Sequence, residues 1–132
     1  MTFYIEITSQ DEFDAVTSKS GVCVVDFYAK WCGPCKKLSP ELQAAVENNS
    51  VLNTLLSSDI SNVDGLLTFV KVNSGDADNE ELIDIATDAK VKALPTIIFY
   101  KNGELQTTRV EGSNLTKILN VTNSLIDELT KN

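Results

Sequence analysis

Cys32 and Cys35 are the residues best suited to chemistry in this chain, two thiols separated by Gly33 and Pro34. At that spacing they can close a small disulfide if they stand at the start of a helix. The run Val22-Cys23-Val24-Val25-Asp26-Phe27-Tyr28 just before them reads as a buried strand that would deliver them there. A helix N-terminus offers exposed backbone N–H groups and the positive end of the helix dipole, so Cys32 should ionise more readily than a free thiol. Its thiolate would attack a substrate disulfide to form a mixed disulfide. Cys35, one helical turn on, would then attack Cys32 and release the reduced substrate. A metal site or a static bridge is the other use for such a pair. Zinc normally takes four ligands, and with no histidine in the sequence and only Cys23 left over the set is incomplete.

Asp26 is the one ionisable group inside the apolar run. A buried carboxylate is costly without a partner, so it should hold its proton more tightly and could then accept the proton that Cys35 gives up. The bland alternative is a hydrogen-bonded core residue. Cys23, mid-strand, reads as a small hydrophobe. Lys30, Lys36 and Lys37 flank the pair; they either bias Cys32 toward thiolate and steer acidic partners, or are simply solvated.

The elements that must position these groups follow from periodicity. Phe3, Ile5 and Ile7 alternate with polar residues as in a strand with one buried face. Ser9-Gln10-Asp11-Glu12 has the form of a capping box before an apolar stripe through Phe13 and Val16. Val22–Tyr28 has the pattern of a strand covered on both faces. After the cysteines, Leu38, Leu42, Ala45, Leu52, Leu55 and Leu56 continue a helical face to about Ser57, with a kink and not a stop at Pro40. Residues 66–72 read as another covered strand. Asp78-Asn79-Glu80-Glu81 then begins a helix bearing Leu82, Ile85, Ala86 and Ala89. Asn102-Gly103 between Ile97–Tyr100 and the stretch 104–110 is a strong hairpin signal, and Asn114 can cap a last helix through Leu129. Strands alternating with helices and closing on a hairpin and a helix predict a mixed sheet sandwiched by helices.

The sequence Trp31-Cys32-Gly33-Pro34-Cys35, the strand before it, the helix after it and Pro95 ahead of a second apolar run together resemble the thioredoxin family, from about Phe3 to about Leu129. The resemblance implies an α/β thioredoxin fold in a single domain over 1–132, with about a dozen additional residues between Ala44 and Leu66. That segment reads as a longer helix plus a surface loop through 59–65, the sharper reading being a partner contact. The inner residues Gly33 and Pro34 match the family's reductants, which implies a protein-disulfide reductase regenerated by a thioredoxin reductase and needing no bound cofactor or metal. An aspartate at the offset of Asp26 serves as proton acceptor in the family, and Lys71 matches the lysine beside it. Pro95 matches the family's proline after a cis bond, which leaves the backbone of Leu94 open to an extended substrate strand, with Trp31 and Gly112 completing an apolar rim. Leu94 stands where Ile is more usual, and Tyr28 where many members carry a second Trp. Two rival functions remain: a binding or holding module whose redox pair is incidental, and an oxidant of nascent chains in an oxidising compartment.

Composition bounds the partners. The 132 residues are 42% hydrophobic, enough for a substantial core without disulfide staples. Eleven basic against nineteen acidic residues give a net charge of −8 and disfavour nucleic acid and anionic lipid. No run is long enough to span a bilayer and no secretion signal is recognised, so three Asn-x-Ser/Thr matches are read as chance. The odd count of three cysteines suits one redox pair plus one buried thiol in a reducing compartment. The expectation is a cytoplasmic monomer acting on disulfide-containing proteins.

Overall fold

The computed structural model describes residues 3–56 and 65–131. Its elements are β1 (Tyr4–Glu6), α1 (Gln10–Thr17), β2 (Val22–Tyr28), α2 (Gly33–Glu47), α3 (Ser50–Leu55), β3 (Leu67–Asn73), α4 (Glu80–Asp88), β4 (Thr96–Lys101), β5 (Glu104–Leu105), β6 (Val110–Glu111) and α5 (Leu115–Thr130). The sheet runs β1-β3-β2-β4-β5, with β6 also on β4; β1, β3 and β2 are parallel, and β4 is antiparallel to β2. The expected mixed sheet between helix layers is what forms.

β2 is central and all seven of its residues are buried, which is why it reads as an unbroken apolar run. Its alternate residues serve two cores. Val22 and Val24 face Leu38, Leu42, Leu52 and Ile118 of α2, α3 and α5. Cys23, Val25 and Phe27 face Phe13, Val16, Leu82 and Ile85 of α1 and α4. Asp26, by the same alternation, points into the α2 layer. Burying each of Phe27, Phe69 and Phe99 contributes about 1.5–3 kcal/mol.

Caps set most helix starts. Ser9 accepts from Glu12 N at 3.2 Å, but the Glu12 carboxylate reaches back past Ser9 to the Thr8 N–H and hydroxyl, at 2.6 and 2.7 Å. α4 is capped by Asn79, not Asp78, through its bond from Leu82 N; Asp78 N instead donates to Asp76 Oδ1, and Glu81 accepts from Gln10 N across to α1. Asn114 caps α5 as expected, accepting from Lys117 N.

Three expectations need correction. The helix after the cysteines does not run on to Ser57: α2 ends at Glu47, and Asn49 caps a separate α3 by accepting from Val51 and Leu52 N. An asparagine side chain that binds the next turn's N–H groups restarts a helix more readily than it continues one. Pro40 lies inside α2 without stopping it. Phe3, Ile5 and Ile7 do not share one face. Phe3 precedes the strand and stacks on Phe69 at 4.8 Å in the α2 layer, while Ile5 and Ile7 join the α1/α4 core.

The return strand expected over 104–110 is split. Asn102 and Gly103 take the positive φ values the turn requires, 52° and 83°, and Leu105 pairs with Tyr100. An uninterrupted ladder would set Thr108 opposite Ile97, yet Val110 stands there. Gln106 N still donates to the Phe99 carbonyl at 2.9 Å; residues 107–109 then leave the sheet, and Arg109 donates to the carbonyl of Ala89 at the end of α4. The loop expected over 59–65 falls, apart from Gly65, outside the described residues.

Candidate active site

Parallel pairing of β2 with β3 brings two strand ends to one edge, and antiparallel β4 begins there too. The chain leaves β2 at Tyr28, whose carbonyl accepts from Ser74 N at 2.7 Å just after β3. A turn closed by the Cys32 N–H on the Ala29 carbonyl, 3.1 Å, then carries it into α2. Cys32 is the N-cap of that helix. Its φ and ψ are −80° and 112°, and its Sγ accepts from Cys35 N at 3.3 Å. Cys32 and Cys35 are joined in a disulfide, with Cα atoms 5.3 Å apart. Pro34 sits in the first turn, where a missing N–H costs nothing. When the bond is reduced, a thiolate on Cys32 inherits both the donor and the helix dipole.

A groove of about 530 Å³ opens beside Cys32, walled by Trp31, Gly33, Pro34 and Leu94 together with Ile83, Thr87, Val91 and Lys92 from α4 and the segment after it. Trp31 is 72% exposed. Its indole lies over Gly75, where a Cβ would come within 2.7 Å of Ala29 Cβ and 2.8 Å of Trp31 Nε1; only glycine lets the loop approach so closely. The Leu94–Pro95 bond is cis. Pro95 O accepts from Gly112 N at 2.8 Å, so Gly112 joins the groove through Pro95 without lining it. Among the described residues neither backbone group of Leu94 has a main-chain partner.

Asp26, on the face of β2 turned toward the α2 layer, is 1% exposed, with no hydrogen bond to either carboxylate oxygen among the described residues. Burial pushes its pKa up to about 7, with Lys71 pulling it down and Glu6 pushing it up. Lys71 is its register neighbour on β3. The ammonium sits 4.3 Å from the ring centroid of Tyr28 and 4.9 Å from that of Tyr4, a cation–π geometry. A second pocket, about 400 Å³, runs in from solvent past Lys30, Lys36 and Ser39 to Lys71 and the far side of Cys35. Lys37 does not border it. Cys23 is free, buried on the opposite face, and its thiol is pushed up to about 12 by desolvation.

Cys32, Cys35, Gly33, Pro34, Trp31 and Leu94 therefore meet at this edge of the sheet, with Pro95 and Gly112 bonded to each other beside them and Asp26 and Lys71 in register on β2 and β3, whereas Cys23 lies on the other face. Sequence reasoning missed Gly75, the α4 wall of the groove, and the pair of Glu6 and Tyr28, whose hydroxyl donates to the Glu6 carboxylate. The signal for Glu6 is its register with Lys71, which is a long-range property. Among the described residues there is no group of three or more His, Cys, Asp or Glu able to hold a metal, and no helix long and apolar enough to cross a membrane.

A Cys-x-x-Cys disulfide capping a helix at the edge of a mixed sheet, with an open groove at the outer sulfur, defines a dithiol–disulfide oxidoreductase. The thioredoxin family profile matches residues 4–124. Thioredoxin-2 of Saccharomyces cerevisiae is 36% identical over 110 residues, 83% of this chain and 86% of that protein. Thioredoxin-1 of Schizosaccharomyces pombe is 32% identical over 113 residues, 86% and 89% of the two chains. The solved thioredoxin of Malassezia sympodialis superposes with a TM-score of 0.71 at 28% identity, covering 93% of this chain and 90% of that one. The chain belongs to the thioredoxin family and is a protein-disulfide reductase. A binding module with an incidental redox pair is not favoured.

Proposed function

We propose that the chain works as one domain over 1–132, a cytoplasmic monomer that carries electrons from a thioredoxin reductase to a range of protein disulfides. The observation that carries this reading is the Cys32–Cys35 disulfide at the cap of α2, opening onto the groove walled by Trp31 and Leu94.

In the reduced protein the Cys32 thiolate attacks one sulfur of a substrate disulfide. A Cys32–substrate bond forms, the substrate's own bond breaks, and its departing sulfur takes a proton from water. An extended substrate segment lies along the groove, bonded to the open backbone of Leu94 beside Pro95, with Trp31 at its rim and Gly112 bracing Pro95 from outside the groove. Cys35 then gives its proton to ionised Asp26 and attacks Cys32 Sγ. The internal disulfide closes and the second substrate thiolate leaves, two electrons having passed to the substrate. Lys71 supports the charge that Asp26 carries before it takes the proton. Gly33 and Pro34 match the inner residues of the family's reductants and put no side-chain donor between the two cysteines.

The test is insulin disulfide reduction coupled to a pyridine-nucleotide-dependent thioredoxin reductase. Catalytic turnover that disappears in Cys32→Ser is the expected result. Absence of turnover with the intact pair, in protein that dithiothreitol reduces normally, would overturn the proposal.

A further inference from the structure

The row of residues that crosses the sheet through Asp26 and Lys71 holds one more charged group than the reaction above uses. Glu6 on β1, Lys71 on β3, Asp26 on β2 and Ile97 on β4 stand in register, and alternation turns all four side chains toward the α2 layer. Lys71 thus has a carboxylate on each side, yet among the described residues it forms an ion pair with neither. It rests instead on the faces of Tyr28 and Tyr4. Glu6 does not swing freely at this sheet edge. The Tyr28 hydroxyl lies 2.9 Å from both of its oxygens, so one tyrosine holds the Glu6 carboxylate by its hydroxyl and the Lys71 ammonium by its ring.

We propose that Glu6, held by Tyr28, is a positioning residue for the exchange: it shares the charge of Lys71 with Asp26 and so leaves Asp26 less supported than an adjacent lysine alone would. The inference rests on reading Asp26 as the proton acceptor for Cys35. The groups facing Asp26 are Lys71 from β3, Glu6 and Tyr4 from β1 and Tyr28 from its own strand, and Cys35 from α2 lines the pocket that Tyr28 and Lys71 border. β4 and α5 turn Ile97, Phe99, Ile118, Thr122, Leu125 and Ile126 toward this layer, none of them charged. Lys30, in the turn before α2, acts on Glu6, and Lys36 borders the same pocket. Glu6 is the one carboxylate in this set besides Asp26, and its charge opposes ionisation of Asp26. An ion pair that would fix Asp26 as a permanent carboxylate is thereby avoided, and the group stays able to take and return a proton.

Glu6→Gln keeps the side chain's shape and its acceptor for Tyr28 but removes the charge. Carbon-13 NMR of the Asp26 carboxyl in the oxidised protein should then show its midpoint falling by roughly 0.3–1 pH unit, for charges two strands or about 10 Å apart. The pH profile of mixed-disulfide release should fall with it. Tyr28→Phe keeps the ring under Lys71 and frees Glu6 toward water, giving a smaller fall that vanishes in the Glu6→Gln background. An unmoved Asp26 midpoint in folded Glu6→Gln, or a Tyr28→Phe effect undiminished in that background, overturns the inference. A release rate unchanged in Asp26→Asn would instead overturn the role given to Asp26, while the NMR midpoint still decides the effect of Glu6 on it.

Discussion

Cys23 and Cys32 are almost equally buried, 4% and 5% exposed, and their surroundings differ in every other respect. Cys23 lies mid-strand on the α1/α4 face, with only the charge of Lys19 working against desolvation, and its thiol is pushed up to about 12. Cys32 caps a 15-residue helix, receives a backbone N–H and opens onto a groove. Asp26 occupies the same strand as Cys23 and suffers the same desolvation, but Lys71 in the adjoining register position brings it back to about 7. Burial alone therefore decides nothing about reactivity. The deciding factor is what stabilises the charged form once water has been removed: donors and a dipole for the outer sulfur, an aromatic-held lysine for the carboxylate, and next to nothing for Cys23.

The sharpest way to break this comparison is to exchange the two thiols for inert groups. Cys32→Ser should abolish insulin reduction, a loss of more than about 10³-fold, whereas Cys23→Ala should leave the rate intact and cost about 1–2 kcal/mol in urea unfolding. Cys35→Ser should accumulate substrates on Cys32 as mixed disulfides visible on non-reducing gels; an extract that yields none would count against the two-step exchange.

Asp26 supplies the next largest effect, and its sign is unusual for a carboxylate. Its folded pKa lies above its ordinary value, about 7 against 3.8, so between these pH values the folded state keeps a proton that the unfolded state has lost. Stability from this group is full below about pH 4 and drains away as the pH rises toward 7, by about 4 kcal/mol. Asp26→Asn should flatten that slope and be about 2 kcal/mol more stable than the parent at pH 8, the remainder going to unpaired amide atoms. It should also slow mixed-disulfide release by at least about 10-fold. Urea unfolding at pH 5 and pH 8 checks the first, and single-turnover kinetics the second. The smallest effect belongs to α3, far from both sulfurs. Removing its cap with Asn49→Ala should cost about 1 kcal/mol by thermal or urea unfolding and leave the rate unchanged.

How much of this was legible in the sequence depends on how local the cause is. The Cys pair, the strand before it, the Asn102-Gly103 turn and the Asn114 cap are fixed by neighbouring residues, and they stand where the pattern put them. The break between α2 and α3 does not show in the spacing from Leu42 to Leu52, which suits one helix, and it comes from the Asn49 side chain accepting from Val51 and Leu52 N. The split return strand turns on Arg109 reaching the end of α4, a contact between residues 20 apart. Glu6 was invisible for a related reason. Its place beside Lys71 comes from parallel strand register, and no run of adjacent residues encodes that.

The central claim is that the helix start makes Cys32 acidic, and alkylation kinetics test it most directly. In the reduced protein, the rate of iodoacetamide reaction at Cys32, followed by mass spectrometry from pH 5 to 10, should reach half its plateau at least about one pH unit below the ~8.5 of free cysteine. Cys23 in the same samples should react at least about 100-fold more slowly at pH 8. A midpoint for Cys32 at or above that of free cysteine would contradict the account.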